Sequence, residues 1–267
     1  MVKPRVCVLR SAGTNCDKET AAAFELAGGR SELLHINSLV NKERALGDFQ
    51  ILALPGGFSY GDDVASGKIF ANELRFKLAD SLRQFIEDGK LIIGICNGFQ
   101  ILVKSRLLPG CSDMKQEASL IINDSGKFEA RWVYLTGKTC LPAGRCVWTK
   151  GLKEIIYLPV AHGEGKFVTK DKQVLNRLKK NGQVVFQYCD AKGRPSGYPD
   201  NPNGSTENIA GICDETGRVF GLMPHPERHI YASQHPRSWD RSRAGYGDGL
   251  QIFKNGIDYI KNKGSFK

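Results

Sequence analysis

Short apolar runs alternate with stretches of helical spacing through the first third of the chain. The apolar runs predict strands at 5–10, 33–36, 49–54 and 91–93. Helical spacing is present over 17–27, where Asp17 is the expected cap, and over 74–88. Strands that alternate with helices predict an α/β fold, with a doubly wound, mostly parallel sheet and helices on both faces. In such a sheet, ligands bind beyond the carboxyl ends of the strands.

From about residue 119 onward the pattern is rich in strands. Strands are expected at 129–135, 155–160, 165–169, 184–189, 209–213 and 219–223. The last two flank Asp214-Glu215-Thr216-Gly217, which predicts a hairpin, and turn-forming residues make 192–208 a loop. Because we find neither a linker nor an internal repeat, we expect residues 1–267 to form a single domain with additional β-hairpins.

The most informative stretch joins the strand at 91–93 to the helix that follows it. Gly94 and Gly98 lie two residues before and after Cys96, where a sharp strand-to-helix turn requires small side chains. Such a turn puts Cys96 at a helix N-terminus, where the helix dipole favours a thiolate. Cys96 is therefore a candidate nucleophile. The alternative is a buried cysteine at a strand end that packs as a small hydrophobic residue.

A second candidate feature is the Pro55-Gly56-Gly57-Phe58 stretch at the end of the predicted strand 49–54. Acyl transfer to a cysteine generates an oxyanion, which backbone N–H groups about 3 Å away stabilise. One donor normally belongs to the residue after the nucleophile, here Asn97, and the other to a loop that approaches closely. Glycine permits that approach, so we predict Gly57 as the second donor. An ordinary turn is the alternative.

His225 is the candidate general base, because a proline on each side restricts the backbone around it. Glu227 follows two residues later, on the same side of an extended segment, where it can orient the imidazole and raise its basicity. Cys96, His225 and Glu227 thus form a nucleophile–base–orienter set. His162 is a rival histidine for a position in the site.

Composition excludes several other classes of function. The net charge of +10 comes from 38 basic and 28 acidic residues, which are scattered except for a cluster over 228–243. This distribution favours a solvated surface, an acidic partner or an anionic substrate over nucleic acid. The eight cysteines lack metal-ligand spacing, so we expect no metal site. No apolar run is long enough to span a membrane and no signal-peptide pattern is present, which predicts a cytoplasmic protein without membrane contact.

The candidate residues lie in motifs that resemble those of the class I (triad) glutamine amidotransferases. The shared motifs are Pro55-Gly56-Gly57, Gly94-Ile95-Cys96-Asn97-Gly98-Phe99-Gln100 and Pro224-His225-Pro226-Glu227. Further stretches are similar to a subfamily of purine biosynthesis and cover nearly the whole chain, at 57–62, 125–128, 161–165, 201–205 and 221–228. The chain lacks the arginine that many relatives carry after Asp62.

The resemblance implies a flavodoxin-like fold and a glutaminase mechanism. Cys96 would attack the side-chain amide of glutamine, while the N–H groups of Asn97 and Gly57 hold the oxyanion. His225, oriented by Glu227, would protonate the departing ammonia and then activate water. The residues expected to contact or border the substrate are Phe58, Gln100, His162 and Gly163.

The resemblance also implies partners. A large synthetase subunit would receive the ammonia and use ATP and magnesium to convert formylglycinamide ribonucleotide to formylglycinamidine ribonucleotide. A small accessory subunit would complete the complex, and this chain would hold no cofactor itself. Two alternatives remain. One is a peptidase- or deglycase-type cysteine hydrolase on the same fold, although such relatives usually carry a histidine where this chain has Asn97. The other is a noncatalytic regulatory subunit.

Overall fold

A mixed sheet of nine strands organises the computed structural model, which describes residues 2–110, 115–137, 145–239 and 245–263. Its strand order is β2-β1-β3-β4-β11-β10-β9-β6-β7, and β5 pairs with β8 in a separate antiparallel ribbon. The strands are β1 (Arg5–Arg10), β2 (Arg30–His35), β3 (Ile51–Leu54), β4 (Leu91–Ile95), β5 (Ala118–Ile121), β6 (Glu129–Thr136), β7 (Ile155–His162), β8 (Lys166–Thr169), β9 (Val184–Cys189), β10 (Ile209–Cys213) and β11 (Val219–Leu222).

Seven α-helices accompany these strands in the described ranges. They are α1 (Asp17–Leu26), α2 (Ile36–Val40), α3 (Lys68–Lys77), α4 (Ala79–Glu87), α5 (Asn97–Lys104), α6 (Lys172–Lys180) and α7 (Leu250–Asn262). Helices α1 and α7 pack together, with the rings of Phe24 and Phe253 4.9 Å apart, and α3 packs on α5. The predicted α/β fold with a largely parallel central sheet is confirmed. None of the described helices is long and apolar enough to cross a membrane.

The parallel part of the sheet brings the candidate motifs together. Strands β2, β1, β3, β4 and β11 are mutually parallel, and every residue of β3, β4 and β11 is buried. This accounts for the unbroken apolar runs of these strands, which have no solvent-facing side. Leu54 pairs with Gly94, and Leu222 pairs with Ile95. The segments that follow β3, β4 and β11 therefore leave the same edge of the sheet side by side.

The structure corrects two predictions about helices. Residues 74–88 do not form one helix, because α3 ends at Lys77 and α4 begins at Ala79, with Leu78 between them at φ −125°. Asp17 does not cap α1 either. The cap position belongs to Cys16, and Asp17 is the first helical residue, 3.3 Å from the guanidinium of Arg10. A carboxylate in the first turn still favours the helix, because it faces the positive end of the helix dipole.

The strands predicted beyond residue 119 are confirmed, with ends shifted by one or two residues. The hairpin of β10 and β11 is antiparallel and turns over 214–217, as expected. The loop at 192–208 contains only a short 3₁₀ turn, Thr206–Asn208, as regular structure. Strand β5 and helices α6 and α7 are elements that the sequence pattern did not single out.

Candidate active site

Cys96 occupies a strained turn between β4 and α5. Its backbone has φ 51° and ψ −106°, a conformation that residues other than glycine rarely adopt, and its side chain is 5% exposed. A Cβ atom at Gly98 would lie 1.9 Å from the carbonyl oxygen of Leu54, and one at Gly94 would lie 2.5 Å from that of Gly98. The small residues around Cys96 are therefore required by close backbone contact, as the motif predicts.

His225 and Glu227 form a buried hydrogen-bonded pair just after β11. Nδ1 of His225 lies 2.6 Å from Oε1 of Glu227, and the backbone N–H of His225 donates to the carbonyl of Pro159 at 2.8 Å. The prediction of an extended segment here is wrong, because Pro226–Arg228 is a 3₁₀ turn. The turn brings the carboxylate of Glu227 back to the imidazole. Across the described ranges, Nε2 of His225 has no hydrogen-bond partner, so it is available to a reacting atom.

The environment of His225 favours the imidazolium. Burial by itself disfavours that charge, but Glu227 and then Cys96 act against burial and raise the pKa of His225 well above its ordinary value. A proton that leaves the Cys96 thiol is therefore readily held on the imidazole. This is the charge distribution that a cysteine nucleophile requires.

Cys96 and His225 share a cavity of about 240 Å³ at the carboxyl edge of the sheet. The cavity is lined by Asn15, Cys16, Gly57, Phe58, Cys96, Phe128, Ala161, His225 and Arg228. The rings of Phe58 and Phe128 are exposed, with centroids 6.2 Å apart. The cavity thus combines a nucleophile, a base and an apolar wall. Phe58 lies on that wall, and its contact with substrate remains a prediction.

Both predicted oxyanion donors have uncommitted N–H groups. Within the described residues, the backbone N–H of Gly57 and that of Asn97, the first residue of α5, have no recorded acceptor. Gly57 has φ 143°, and a Cβ atom there would lie 2.7 Å from the backbone nitrogen of Asn15. Only glycine fits this approach. The arrangement is suited to an oxyanion, and the assignment of the two donors remains a prediction.

Three predicted substrate contacts, Gln100, His162 and Gly163, do not lie on the cavity wall. The amide oxygen of Gln100 accepts a hydrogen bond from Nδ2 of Asn97 at 2.9 Å, and its Nε2 donates to the carbonyl of Glu164 at 2.6 Å. Gln100 follows Cys96 by one helical turn, but the loop that carries Glu164 covers its side chain. The structure therefore gives Gln100 an internal hydrogen-bonding role and offers no support for substrate contact.

His162 is buried away from the cavity between two asparagines. Its Nδ1 lies 3.2 Å from Oδ1 of Asn123, and its Nε2 lies 3.5 Å from Nδ2 of Asn203. Burial, aided by the charge of His225, lowers the pKa of His162 to about 3. His162 is thus a neutral, structural histidine, and it does not compete with His225 for the role of base.

Cys16 and Arg228 belong to the cavity wall but were not predicted. Sγ of Cys16 accepts a hydrogen bond from Nη2 of Arg228 at 3.0 Å, and the thiol donates to Oδ1 of Asn15 at 3.1 Å. Burial raises the pKa of Cys16, which keeps it a thiol. Its position after β1, beside the segment that follows β3, is the signal that identifies it, because both strands end at the ligand-binding edge.

Cys16, His225 and Glu227 each offer one atom of a type that can bind a metal ion. These three atoms, a sulfur, a nitrogen and an oxygen, lie within 4.8 Å of one another. The His225–Glu227 hydrogen bond occupies two of these groups, and the cationic Arg228 contacts the third. This arrangement suits proton transfer better than a divalent cation. The absence of a metal site remains our expectation.

Within its described part, residues 228–239, the segment 228–243 is only in part the exposed cationic surface that its composition suggests. Arg228 points towards Cys16, and His229 and His235 are buried against aromatic rings, with His229 5.0 Å from Trp132. Of the arginines in its described part, residues 228–239, only Arg237 is exposed. Residues 240–244 lie outside the described ranges.

The α/β sheet, the strained Cys96 turn and the buried His225–Glu227 pair together define a triad glutamine amidotransferase. A family model described as a CobB/CobQ-like glutamine amidotransferase domain matches residues 3–260. The chain is 50% identical to phosphoribosylformylglycinamidine synthase subunit PurQ of Dehalococcoides mccartyi, over 98% of this chain and 99% of that protein. PurQ of Methanococcus maripaludis is 43% identical, over 97% and 98%.

A solved structure agrees with these sequence matches. A chain of the PurLQS structure from Thermotoga maritima has 34% identity and a TM-score of 0.72, covering 97% of this chain and 100% of that chain. The chain described here belongs to the family of glutamine amidotransferase subunits of phosphoribosylformylglycinamidine synthase.

Proposed function

We propose that this chain hydrolyses glutamine through a thioester on Cys96 and delivers the ammonia to a synthetase subunit. That subunit would convert formylglycinamide ribonucleotide to formylglycinamidine ribonucleotide with ATP and magnesium, in purine biosynthesis. The observation that carries the proposal is the buried His225–Glu227 pair, whose free Nε2 shares a cavity with Cys96. Relatives that match nearly the full chain and carry the name of this synthase subunit support it.

The first half of the reaction forms the thioester. The Cys96 thiolate attacks the side-chain amide carbon of glutamine, and the carbonyl oxygen becomes an oxyanion next to the N–H groups of Asn97 and Gly57. The C–N bond then breaks as His225 donates its Nε2 proton to the departing nitrogen, which leaves as ammonia. The raised pKa of His225 favours the imidazolium that this step consumes.

The second half regenerates the nucleophile. Neutral His225 accepts a proton from water, and the resulting hydroxide adds to the thioester carbon. The C–S bond breaks, glutamate leaves, and the thiolate of Cys96 and the imidazolium of His225 are restored. Glu227 accepts the Nδ1–H hydrogen bond throughout, so it fixes the tautomer and orientation of the ring.

Two rival functions can be distinguished from glutamine hydrolysis. A peptidase or deglycase of the same fold class would be expected to carry a histidine at position 97, whereas Asn97 hydrogen-bonds Gln100 and Asp62 through its side chain. A noncatalytic subunit would not need the strained backbone of Cys96 or the buried pair beside it. An assay of glutamine, a peptide and glyoxal as substrates separates the rivals, and turnover of glutamine alone is the expected result.

Exposed apolar side chains around the cavity mouth support a docking surface for the synthetase subunit. Phe58 and Phe128 line the cavity and are 46% and 52% exposed, and we call these two residues the apolar rim. Exposed apolar groups at the mouth of a cavity are typical of a protein interface. Docking there would enclose the ammonia as it forms. The PurLQS structure of the Thermotoga maritima relative supports a complex that also holds a small accessory subunit.

The direct test mixes the purified chain with the synthetase and the accessory subunit, glutamine, formylglycinamide ribonucleotide and Mg-ATP. We expect glutamine-dependent formation of formylglycinamidine ribonucleotide only when the chain is present. Added ammonium should support formation of the same product in the absence of both the chain and glutamine. Product formation from glutamine without the chain would contradict the proposal.

A further inference from the structure

The loop that follows β3 contacts Asn97, the residue after the nucleophile, and has an unusual backbone. We call residues 57–67 the oxyanion loop, since Gly57 begins it. Tyr60, Asp62 and Val64 have φ values of 53°, 56° and 70°, and Gly61 between them has 71°. Left-handed backbone is unfavourable for residues with a Cβ atom, so contacts with the rest of the protein must maintain this conformation.

Asp62 supplies those contacts at the centre of the loop. One of its carboxylate oxygens, Oδ1, accepts hydrogen bonds from Nδ2 of Asn97 at 3.0 Å and from the backbone N–H of Gly67 at 3.3 Å. The other, Oδ2, accepts one from the hydroxyl of Ser66 at 2.9 Å. The carboxylate therefore closes the loop onto itself and joins it to the first residue of α5.

Asn97 is bound to the oxyanion loop at a second point. Its Oδ1 accepts a hydrogen bond from the backbone N–H of Ser59 at 3.3 Å, and its Nδ2 also donates to Gln100 at 2.9 Å. The backbone N–H of Asn97 is one predicted oxyanion donor, and Gly57, two residues before Ser59, carries the other. The Asn97 side chain thus connects the helix that carries one donor to the loop that carries the other.

The outer end of the loop is braced by a charged pair. The carboxylate of Glu164 lies 3.4 Å from the backbone N–H of Ser66, and Nζ of Lys104 donates to the carbonyl of Ser66 at 2.5 Å. Oε2 of Glu164 lies 3.5 Å from Nζ of Lys104. Ser66, whose hydroxyl binds Asp62, is therefore also held through its backbone N–H and carbonyl groups.

We infer that Asp62 is a positioning residue for the reaction. Its carboxylate holds Asn97 and the oxyanion loop in register, so that the N–H groups of Asn97 and Gly57 converge on one oxygen atom. Asp62 touches no reacting atom. Its effect passes through Asn97 on one side and through Ser66 and Gly67 on the other. The inference rests on the proposed glutaminase function.

Three variants test the inference in the assembled complex. Asp62→Gly removes all three hydrogen bonds without adding strain at the positive φ. Asp62→Asn keeps an acceptor for Asn97 and Gly67 and offers its amide to the Ser66 hydroxyl. Asp63→Gly is the matched control, because Asp63 is the exposed neighbour and its side chain makes no recorded hydrogen bond among the described residues. Each variant is measured for kcat and KM with glutamine, for alkylation of Cys96 by iodoacetamide, and for melting temperature.

We expect Asp62→Gly to lower kcat by at least about tenfold, with KM and alkylation rate close to wild type and a melting temperature lower by about a few degrees, because three hydrogen bonds are lost. Alkylation forms no oxyanion, so a positioning role leaves it unchanged. Asp62→Asn and Asp63→Gly should remain within about threefold of wild type. The inference is overturned if Asp62→Gly retains full kcat, if the alkylation rate falls with kcat, or if Asp62→Asn is as impaired as Asp62→Gly. A wild-type complex that hydrolyses no glutamine would instead contradict the proposed function itself.

Discussion

Oε1 of Glu227 lies 2.6 Å from Nδ1 of His225, although the two residues are separated by a single proline. The contact exists because Pro226 begins a 3₁₀ turn, and proline suits the first position of such a turn, where no N–H donor is needed. Base and orienter therefore belong to one rigid element at the end of β11. Their geometry does not depend on the packing of two distant segments.

Replacing Glu227 by glutamine tests the electrostatic part of this relationship. The amide can still accept the Nδ1–H bond, but it cannot stabilise the imidazolium, so the pKa of His225 should fall. We expect kcat with glutamine to drop by about tenfold to hundredfold, and less than in His225→Ala. The pH dependence of kcat/KM should also move to lower pH. A fully active variant with an unchanged pH profile would demote Glu227 to a structural role.

Gly56→Ala tests how tightly the oxyanion segment packs against the base. An added Cβ atom would lie 2.7 Å from Cε1 of His225 and 3.2 Å from Sγ of Cys16, so the imidazole must shift. We expect kcat to fall by about a hundredfold, because small displacements of catalytic groups have effects of that size. Gly47→Ala is the control, since a Cβ atom there meets nothing within 4 Å. Wild-type kcat in Gly56→Ala would show that the packing is unimportant.

His162 should make the protein less stable in acid. Its folded-state pKa of about 3 lies below that of an exposed histidine, so the unfolded chain binds a proton first as the pH falls. Protonation of Nε2 in the folded state would set it against the amide donor of Asn203. Between about pH 7.5 and pH 5.5, this effect removes about 1.4 kcal/mol from the free energy of unfolding.

Denaturant titrations of the wild type and of His162→Gln at the two pH values isolate this loss from the effect of His225, whose raised pKa acts in the opposite direction. Between about pH 7.5 and pH 5.5, His162→Gln should lose about 1.4 kcal/mol less stability than the wild type, whatever its absolute stability. His35→Gln, which removes a half-buried histidine at the end of β2, should keep the wild-type difference. An unchanged difference in His162→Gln would contradict the assignment of a neutral, buried histidine.

Phe128→Asp tests the apolar rim. The new carboxylate should weaken binding of the chain to the synthetase subunit by about tenfold or more, because it would be buried in the interface without a partner. Phe76→Asp is the control, because Phe76 is 75% exposed on α3 and does not line the cavity. Titration of each variant against the synthetase, by sedimentation or native mass spectrometry, gives the affinities. Equal affinities for the two variants would place the interface elsewhere.

Much of the parallel sheet and the catalytic set could be predicted from the sequence. Buried parallel strands such as β3, β4 and β11 are continuous apolar runs, and the turn at Cys96 requires glycines at fixed positions. The break between α3 and α4 could not be predicted in this way. The apolar spacing continues through Leu74, Leu78 and Leu82, all of which are buried, although the backbone changes direction at Leu78.

The less local contacts could not be predicted either. Helical spacing put Gln100 on the same face as Cys96, but the loop that covers its side chain comes from residues more than sixty positions later. Arg228 reads as part of a basic cluster, and only the fold brings it to Cys16, 212 residues away in the chain. The spacing of residues along the chain predicts which side chains meet within one turn. Contacts between residues far apart in the sequence depend on how the helices and strands pack.

Cys96→Ala in the assembled complex tests the central claim most directly. Glutamine-dependent formation of formylglycinamidine ribonucleotide should fall by at least about 10⁴-fold, because no other thiol in the cavity occupies the strained turn. Ammonium-dependent formation of the same product should stay at the wild-type rate, since it uses only the synthetase. Loss of the first activity with retention of the second is the result the account predicts, and glutamine-dependent turnover at the wild-type rate in Cys96→Ala would contradict it.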